Sequence, residues 1–156
     1  MEIRIRRYRP EDCLTLTRLF YETVRRANLG DYTQDQVEAW APAPPEEKRW
    51  AAMLLDHESW VAEGEDGILG FATLDGDYFD HLFVRWDCQR QGVARALADA
   101  LENRAWEKGC EKIRVHASIT ARPFFEKRGY QLIKEQQVEK RGRFLTNFVM
   151  AATRRP

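Results

Sequence analysis

The sequence predicts a mixed α/β domain built around one central sheet. Stretches in which apolar and polar residues alternate are followed by stretches in which apolar residues have helical spacing, as expected for a sheet covered by helices. Three strand patterns within residues 60–84 follow one another with only short turns between them, which is typical of an antiparallel meander. The length of 156 residues predicts a single domain over residues 1–156.

The first third of the chain predicts one strand and three helices, over residues 3–6, 10–28, 33–40 and 46–55. Pro10 suits the first turn of a helix, and Gly30 suits the position just after a helix end. Thr33 and Gln36 have the spacing of a capping box, in which each side chain bonds the backbone N–H of the other residue.

The rest of the chain predicts the meander strands and a second set of mixed elements. The predicted strands cover residues 60–62, 68–74, 78–84, 113–117, 130–138 and 144–150, and the predicted helices cover residues 92–108 and 122–128. The longer helix carries one apolar stripe, and Gly109 ends it. That stripe consists of Ala94, Leu97, Ala98, Leu101 and Ala105.

Composition excludes several classes of partner. The 25 basic and 25 acidic residues give a formal net charge of zero, which argues against a protein held on nucleic acid by bulk charge. The longest apolar run, Trp50–Leu55, is far shorter than the roughly 20 residues of a membrane span. The first residues lack the apolar core of a secretion signal, so we expect a cytoplasmic protein.

Cysteine and histidine spacing predicts no metal site. Cys13, Cys88 and Cys110 are scattered without a Cys-x-x-Cys pair, which suits a reducing compartment. The three histidines are equally scattered, with no His-Glu-x-x-His. The sequence leaves the choice between a monomer and a homodimer open.

The segment QRQGVAR, between a predicted strand and a predicted helix, is the clearest indication of a ligand-binding site. A glycine at a helix start lets a ligand approach the backbone, and the free N–H groups there bind anions. The segment therefore predicts a phosphate or pyrophosphate site at Gln89, Arg90, Gln91, Gly92, Val93, Ala94 and Arg95. By itself a glycine at such a position is also explained by the needs of a turn.

Two motifs in the same order resemble the GNAT superfamily of acetyl-CoA-dependent N-acetyltransferases. Its main motif is a strand followed by Gln/Arg-x-x-Gly-x-Gly/Ala at the start of a long helix, which matches residues 82–94. Its second motif, a strand and then Ala-x-x-Phe-Tyr-x-x-x-Gly-Phe/Tyr, is similar to residues 118–130. Residues 117–125, 141–142 and 146–148 most resemble the bacterial YafP-like branch.

The resemblance implies an N-acetyltransferase that uses acetyl-CoA as co-substrate and acetylates a primary amine by direct attack. It implies a central, mostly antiparallel sheet, flanked by helices, whose middle strands splay apart. The pyrophosphate would lie on the helix start at residues 90–95, and the pantetheine arm would pair with the preceding strand. The implied contacts are Leu82, Phe83 and Val84 on that strand, Ser118 near the pantetheine, and Phe124 and Phe125 beside the thioester. Core packing explains Phe124 equally well.

Phe125 departs from the family pattern. Many members have tyrosine at this position, and its hydroxyl is thought to protonate the leaving thiolate. Phenylalanine has no proton to give, so the donor would be another group, and Tyr78, Tyr130 and Ser118 are the nearby candidates. The same departure supports an alternative function, an acyl-CoA-binding module that has lost efficient catalysis.

Asp80 is the candidate for the base that takes the proton of the amine. In the family an acid often lies near the acceptor at this position, two residues before the pantetheine strand. Alternation sorts the strand into two faces, with Asp80, Leu82 and Val84 on one and Phe79, His81 and Phe83 on the other. An ammonium must lose a proton before it can attack, and a carboxylate can accept it through water. A surface role for Asp80, with His81 or His116 as the base, stays open.

The sequence does not identify the acceptor amine. We expect its pocket to involve residues 32–50 and the last hairpin, with Trp40, Trp50, Tyr78 and Asn147 as candidate lining residues, although helix packing also explains the two tryptophans. Acidic residues concentrate within residues 56–87, which would favour a cation. Basic residues concentrate within residues 122–143, with Arg122 and Lys127 as candidates for the phosphates of CoA.

Overall fold

The computed structural model describes residues 2–154. Its strands are β1 (Arg4–Arg7), β2 (Glu58–Gly64), β3 (Gly67–Asp75), β4 (Tyr78–Val84), β5 (Lys112–Ser118), β6 (Gln131–Lys140) and β7 (Arg143–Thr153). Its helices are α1 (Cys13–Arg26), α2 (Gln34–Trp40), α3 (Glu47–Asp56), α4 (Val93–Glu107) and α5 (Arg122–Lys127). Single 3₁₀ turns cover Pro10–Asp12 and Trp86–Cys88. The predicted capping box is present, because the N–H of Thr33 donates to Oε1 of Gln36 at 2.9 Å and the N–H of Gln36 donates to Oγ1 of Thr33 at 3.2 Å.

The seven strands form one mixed sheet in the order β1-β2-β3-β4-β5-β7-β6. Neighbouring strands are antiparallel except β4 and β5, which are parallel, so the predicted fold class and meander are confirmed. The parallel pair is joined only at Tyr78 with Arg114 and at Phe79 with Val115. Beyond Phe79 the two strands part, as the resemblance implied, and a gap opens in the middle of the sheet.

Helices cover both faces of the sheet. The stripe of α4 packs on one face, where Leu97, Ala98, Leu101 and Ala105 are fully buried. Gly70 on β3 permits this close approach, because a Cβ there would lie only 3.2 Å from Cγ1 of Val93 and 3.3 Å from Cδ1 of Leu97. The other face is covered by α1, α2 and α3. The gap between β4 and β5 therefore connects the face of the sheet covered by α4 with the face covered by α1, α2 and α3.

A β-bulge in β4 overturns part of the predicted face assignment. The register pairs Thr73 with His81 but Leu74 with Phe79, so Asp80 is the extra residue. Phe79 consequently joins the core under α4, on the same side as Val84, and not the side of His81. The Asp80 side chain turns towards α3 on the opposite face and lies near His81. Simple alternation was wrong for both Phe79 and Asp80 because the extra residue inverts the period.

A buried tyrosine holds the far wall of the gap. The hydroxyl of Tyr32, which is 4% exposed, donates to the carbonyl of Thr146 at 2.6 Å and accepts from the N–H of Ile119 at 2.9 Å. Ile119 directly follows β5, and Thr146 lies in β7. The hydroxyl therefore ties the end of β5 to β7, away from β4.

Replacing Tyr32 by phenylalanine should destabilise the fold. The change leaves a backbone donor and acceptor without their partner, and each such group costs about 1–3 kcal/mol. We expect Tyr32→Phe to lower the free energy of unfolding in urea by about 2 kcal/mol. Tyr21→Phe is the control, because that hydroxyl only accepts a 3.3 Å bond from Arg25. Equal stability of the two variants would contradict the role of Tyr32.

Candidate active site

A cleft of about 1220 Å³ occupies the gap between β4 and β5. Its walls come from α1, α2, α3, the start of α4, the end of β5 and α5, so it is reached from both faces of the sheet. Most of the residues predicted from the sequence line it: Asp80, Leu82, Phe83, Val84, Gln89, Arg90, Gly92, Val93, Ala94, Arg95, Ser118, Phe124 and Phe125. Gln91 lies outside this lining.

The start of α4 forms an anion cradle at one end of the cleft. Arg90 and Gly92 have left-handed φ values of 60° and 88°, so the loop curls before the helix begins. The first bond at the helix start runs from the N–H of Ala96 to the carbonyl of Gly92, and the amides of the preceding turn stay available. A Cβ built on Gly92 would have no atom within 4 Å, so the space above this turn is open.

Gln89 holds this loop against the end of β4. Its side-chain amide donates to the carbonyl of Val84 at 2.7 Å, and the hydroxyl of Thr23 donates to the same carbonyl at 3.1 Å. The Gln89 side chain is therefore engaged in shaping the loop.

Backbone groups of β4 face the gap at alternate residues. Arg85 N–H bonds the carbonyl of Leu69, and in an antiparallel pair the bonded positions alternate. Phe83 therefore uses its backbone groups on β3, whereas Leu82 and Val84 direct theirs towards the gap. Because the Val84 carbonyl is already bonded, its N–H and both groups of Leu82 are the ones that can pair with an extended ligand.

Aromatic rings form the floor of the gap on the α5 side. Phe125 is 2% exposed, and its ring centroid lies 5.3 Å from those of Phe79 and Phe124 and 5.0 Å from that of Tyr130. Ser118 stands at the end of β5, where its Oγ accepts a 3.0 Å bond from the N–H of Ala121. The Ser118 hydroxyl hydrogen can still be donated into the cleft.

Two of the three candidate proton donors lie away from the cleft. Tyr130 donates its hydroxyl to Glu102 at 2.9 Å, and burial raises the pKa of Tyr130 above its usual range. Tyr78 does not line the cleft, although its ring packs against that of His116, which does. Burial raises the pKa of Tyr78 to about 12. Of the three, Ser118 is the one that lines the cleft.

A carboxylate and two histidines meet on the opposite side, facing α3. Asp80 Oδ2 lies 2.9 Å from Nε2 of His57 and 3.6 Å from Nδ1 of His81. His81 Nδ1 also bonds the hydroxyl of Thr73 at 2.8 Å. Burial lowers the pKa of His81, and the charge of Asp80 opposes this shift only in part. Sequence reasoning missed His57, because only the sheet register brings the end of α3 to the bulge of β4.

Around His81, the neighbour of Asp80 in the chain, four aromatic side chains of the cleft lining form what we call the aromatic wall: Phe20, Trp40, Trp50 and Phe83. The Phe20 centroid lies 5.0 Å from that of Trp50 and 4.9 Å from that of Phe83. The two tryptophans therefore line the cleft in addition to packing the helices. Tyr78 and Asn147, the other candidates for the acceptor pocket, lie outside the lining.

Basic side chains line the cleft at several points, including Arg26, Arg49, Lys140 and Arg141 away from the start of α4. Arg90, Arg95 and Lys127 line the end near the start of α4 and the helix α5. Arg122, the other predicted basic candidate, pairs with Glu126 at 3.2 Å and lies outside the lining. Cys88 is buried in the lining, and burial raises its pKa, so it is a thiol rather than a thiolate nucleophile.

Comparison with known proteins matches one family over most of the chain. The profile described as "Acetyltransferase (GNAT) domain" matches residues 28–152. A protein of Escherichia coli (strain K12), "Uncharacterized N-acetyltransferase YafP", is 39% identical over 148 residues, which cover 95% of this chain and 94% of that protein. Among residues 2–154, we find no helix with the length and apolar character of a membrane span.

Solved structures agree with this match. A crystal structure from Rhodopseudomonas palustris, described as "GCN5-Related N-acetyltransferase: Aminotransferase, Class-II", has a TM-score of 0.93 and 34% identity, covering 98% of this chain and 96% of that chain. PaiA N-acetyltransferase from Thermoplasma acidophilum, solved in complex with coenzyme A, shares the fold with a TM-score of 0.79 at 17% identity, covering 99% and 100%. YncA from Salmonella typhimurium, a putative acetyltransferase solved with its cofactor acetyl-CoA, has a TM-score of 0.76 at 16% identity, covering 98% and 94%.

Proposed function

The chain belongs to the GNAT acetyltransferase family, and on that premise we propose how its cleft binds acetyl-CoA and acetylates an amine. The protein is an acetyl-CoA-dependent N-acetyltransferase, as the resemblance in its sequence implied. Residues 1–156 act as one domain, which the continuous seven-stranded sheet supports. The three cysteines of the described chain are free thiols, which supports a cytoplasmic location.

Two regions of the cleft bind two different parts of acetyl-CoA, the pyrophosphate and the pantetheine arm. The anion cradle at Gly92 holds the pyrophosphate, since free N–H groups and the helix dipole both favour negative charge there. Arg90, Arg95 and Lys127 supply cationic partners for the phosphates. Leu82 and Val84 pair with the pantetheine arm, which places the thioester beside Phe125 and Ser118.

The reaction is a direct transfer between two bound substrates. The amine nitrogen uses its lone pair to bond the carbonyl carbon of the thioester, the C–S bond breaks, and the sulfur leaves with the bonding electrons. Asp80 accepts the proton that the amine loses, through a water molecule. Ser118 donates a hydrogen bond to the departing thiolate, and a proton from solvent completes its neutralisation.

The acceptor in this proposal is a primary amine attached to an apolar or aromatic body. The observation that carries it is the aromatic wall in the same cleft as Asp80, the less exposed of the two carboxylates, Asp31 and Asp80, that line it. A cationic head is attracted both to that carboxylate and to the faces of Trp40 and Trp50. A second cationic group placed against these rings would lose its hydration, and the other carboxylate of the lining, Asp31, is exposed to solvent and therefore a weak partner.

An acceptor panel with acetyl-CoA consumption as the readout tests the proposal. Arylalkyl primary amines should have a kcat/KM at least about tenfold above that of linear diamines or α-amino acids, which corresponds to roughly 1.4 kcal/mol. A preference for diamines or amino acids would contradict the proposed acceptor class.

Phe125→Tyr discriminates an enzyme from a binding module. The substitution restores the hydroxyl that many family members carry beside the thioester. If catalysis proceeds without that acid, kcat should stay within about tenfold of the parent, a barrier change below roughly 1.4 kcal/mol. Turnover that appears only in Phe125→Tyr, with no amine acetylated by the parent, would favour the binding module. The control is calorimetry: if the parent and Phe125→Tyr bind acetyl-CoA with equal affinity, the added hydroxyl has not disturbed the buried aromatic cluster around residue 125.

A further inference from the structure

His57 lies where α3 ends and β2 begins, and its side chain is only 10% exposed. Its Nε2 atom is 2.9 Å from Oδ2 of Asp80, across the face of the sheet. Two more carboxylates surround the ring: Asp56 Oδ2 lies 3.5 Å from Nδ1, and Asp75 Oδ2 lies 3.9 Å from Nε2. His57 is thus buried with its best hydrogen bond made to the residue proposed as the base.

The geometry fixes which ring nitrogen serves Asp80. An ionised carboxylate only accepts hydrogen bonds, so the 2.9 Å contact requires a hydrogen on Nε2. Nδ1 has no hydrogen-bond partner within residues 2–154, and Asp56, its nearest carboxylate, is largely exposed. In the neutral ring, Nδ1 then carries the lone pair and Nε2 carries the hydrogen.

We propose that His57 is a positioning residue for catalysis: its Nε2–H holds Oδ2 of Asp80 and leaves Oδ1 to accept the proton of the acceptor amine. This inference rests on the proposed role of Asp80. The bulge leaves Asp80 without a partner residue on β3, and the bond from His57 is the side-chain hydrogen bond that orients its carboxylate. His81 is committed to Thr73 and contributes no bond to Asp80 in this arrangement.

Two substitutions separate positioning from other roles. In His57→Gln the side-chain amide can still donate to Asp80 but cannot titrate, whereas His57→Leu keeps bulk and removes the donor. We expect kcat of His57→Gln to stay within about threefold of the parent and kcat of His57→Leu to fall at least about tenfold, with KM for acetyl-CoA unchanged.

The double variant shows whether His57 acts through Asp80. His57→Leu combined with Asp80→Asn should be no slower than Asp80→Asn alone. Additive losses would overturn the inference, and so would equal losses in His57→Gln and His57→Leu. If Asp80→Asn is slow but His57→Leu has parental rates, the positioning role alone is wrong. Parental rates in Asp80→Asn would remove both the base and its positioning residue.

A readout without turnover completes the test. Nitrogen NMR of the His57 imidazole in the parent should report the Nε2–H form when the ring is neutral. In Asp80→Asn the preference for that form should weaken. A neutral ring protonated on Nδ1 would overturn the inference whatever the kinetics.

Discussion

Acetyl-CoA binding should fall at least a hundredfold when valine replaces Gly92, a loss of roughly 2.7 kcal/mol. Gly92 has a φ of 88°, which β-branched side chains strongly disfavour. The open space above it is where the pyrophosphate is proposed to lie, so the new side chain would occupy the ligand site. Calorimetric titration of acetyl-CoA into the parent, expected to bind at about micromolar Kd, provides the reference.

Gly109→Val is the matched control for this experiment. Gly109 lies beyond the other end of α4, has a φ of 87°, and also has open space around its missing Cβ. Both variants place valine at nearly the same left-handed φ, so both should lose stability, but only Gly92→Val should lose affinity. If Gly92→Val binds as tightly as Gly109→Val, the anion cradle is assigned to the wrong place.

The elements of this fold were predictable because each depends on local pattern. Helix α4 followed from its apolar stripe and the flanking glycines, and the structure places it over residues 93–107, against the predicted 92–108. The meander followed from short turns between alternating strands. The gap between β4 and β5 has no local signature, and only the resemblance to a family implied it.

The arrangement of residues on the acceptor side of the cleft could not be predicted from the sequence. An inserted residue in β4 leaves no mark in composition, yet it moves Phe79 into the core and turns Asp80 towards α3. His57 lies 23 residues from Asp80, and no spacing rule relates them. Such contacts depend on sheet register and helix placement, which long-range packing determines. The cofactor side is easier to propose from sequence, because most of its proposed contacts lie on consecutive residues of one loop.

Asp80→Asn should reduce the rate of acetyl transfer by about a hundredfold or more, the usual contribution of a positioned acid or base. The substitution keeps the shape of the side chain, and Asn Oδ1 can still accept the bond from His57. Acetyl-CoA affinity should therefore survive, since the proposed contacts of β4 with the cofactor are made by the backbone.

The dependence on pH and salt identifies what Asp80 does. If it accepts the proton of the amine, the loss should be largest at low pH, where the amine is most fully protonated, and should shrink as pH approaches the pKa of the free amine. A small loss that is flat across pH and weakened by salt would mean that Asp80 only attracts the cation, since exposed charges are screened within about 10 Å at 0.1 M salt. Asp75→Asn is the control, because Asp75 lies 3.9 Å from the same His57 nitrogen but outside the cleft lining. Parental kcat/KM for Asp80→Asn at every pH and salt concentration would eliminate Asp80, and His81 and His116, which also line the cleft, would be the next residues to test.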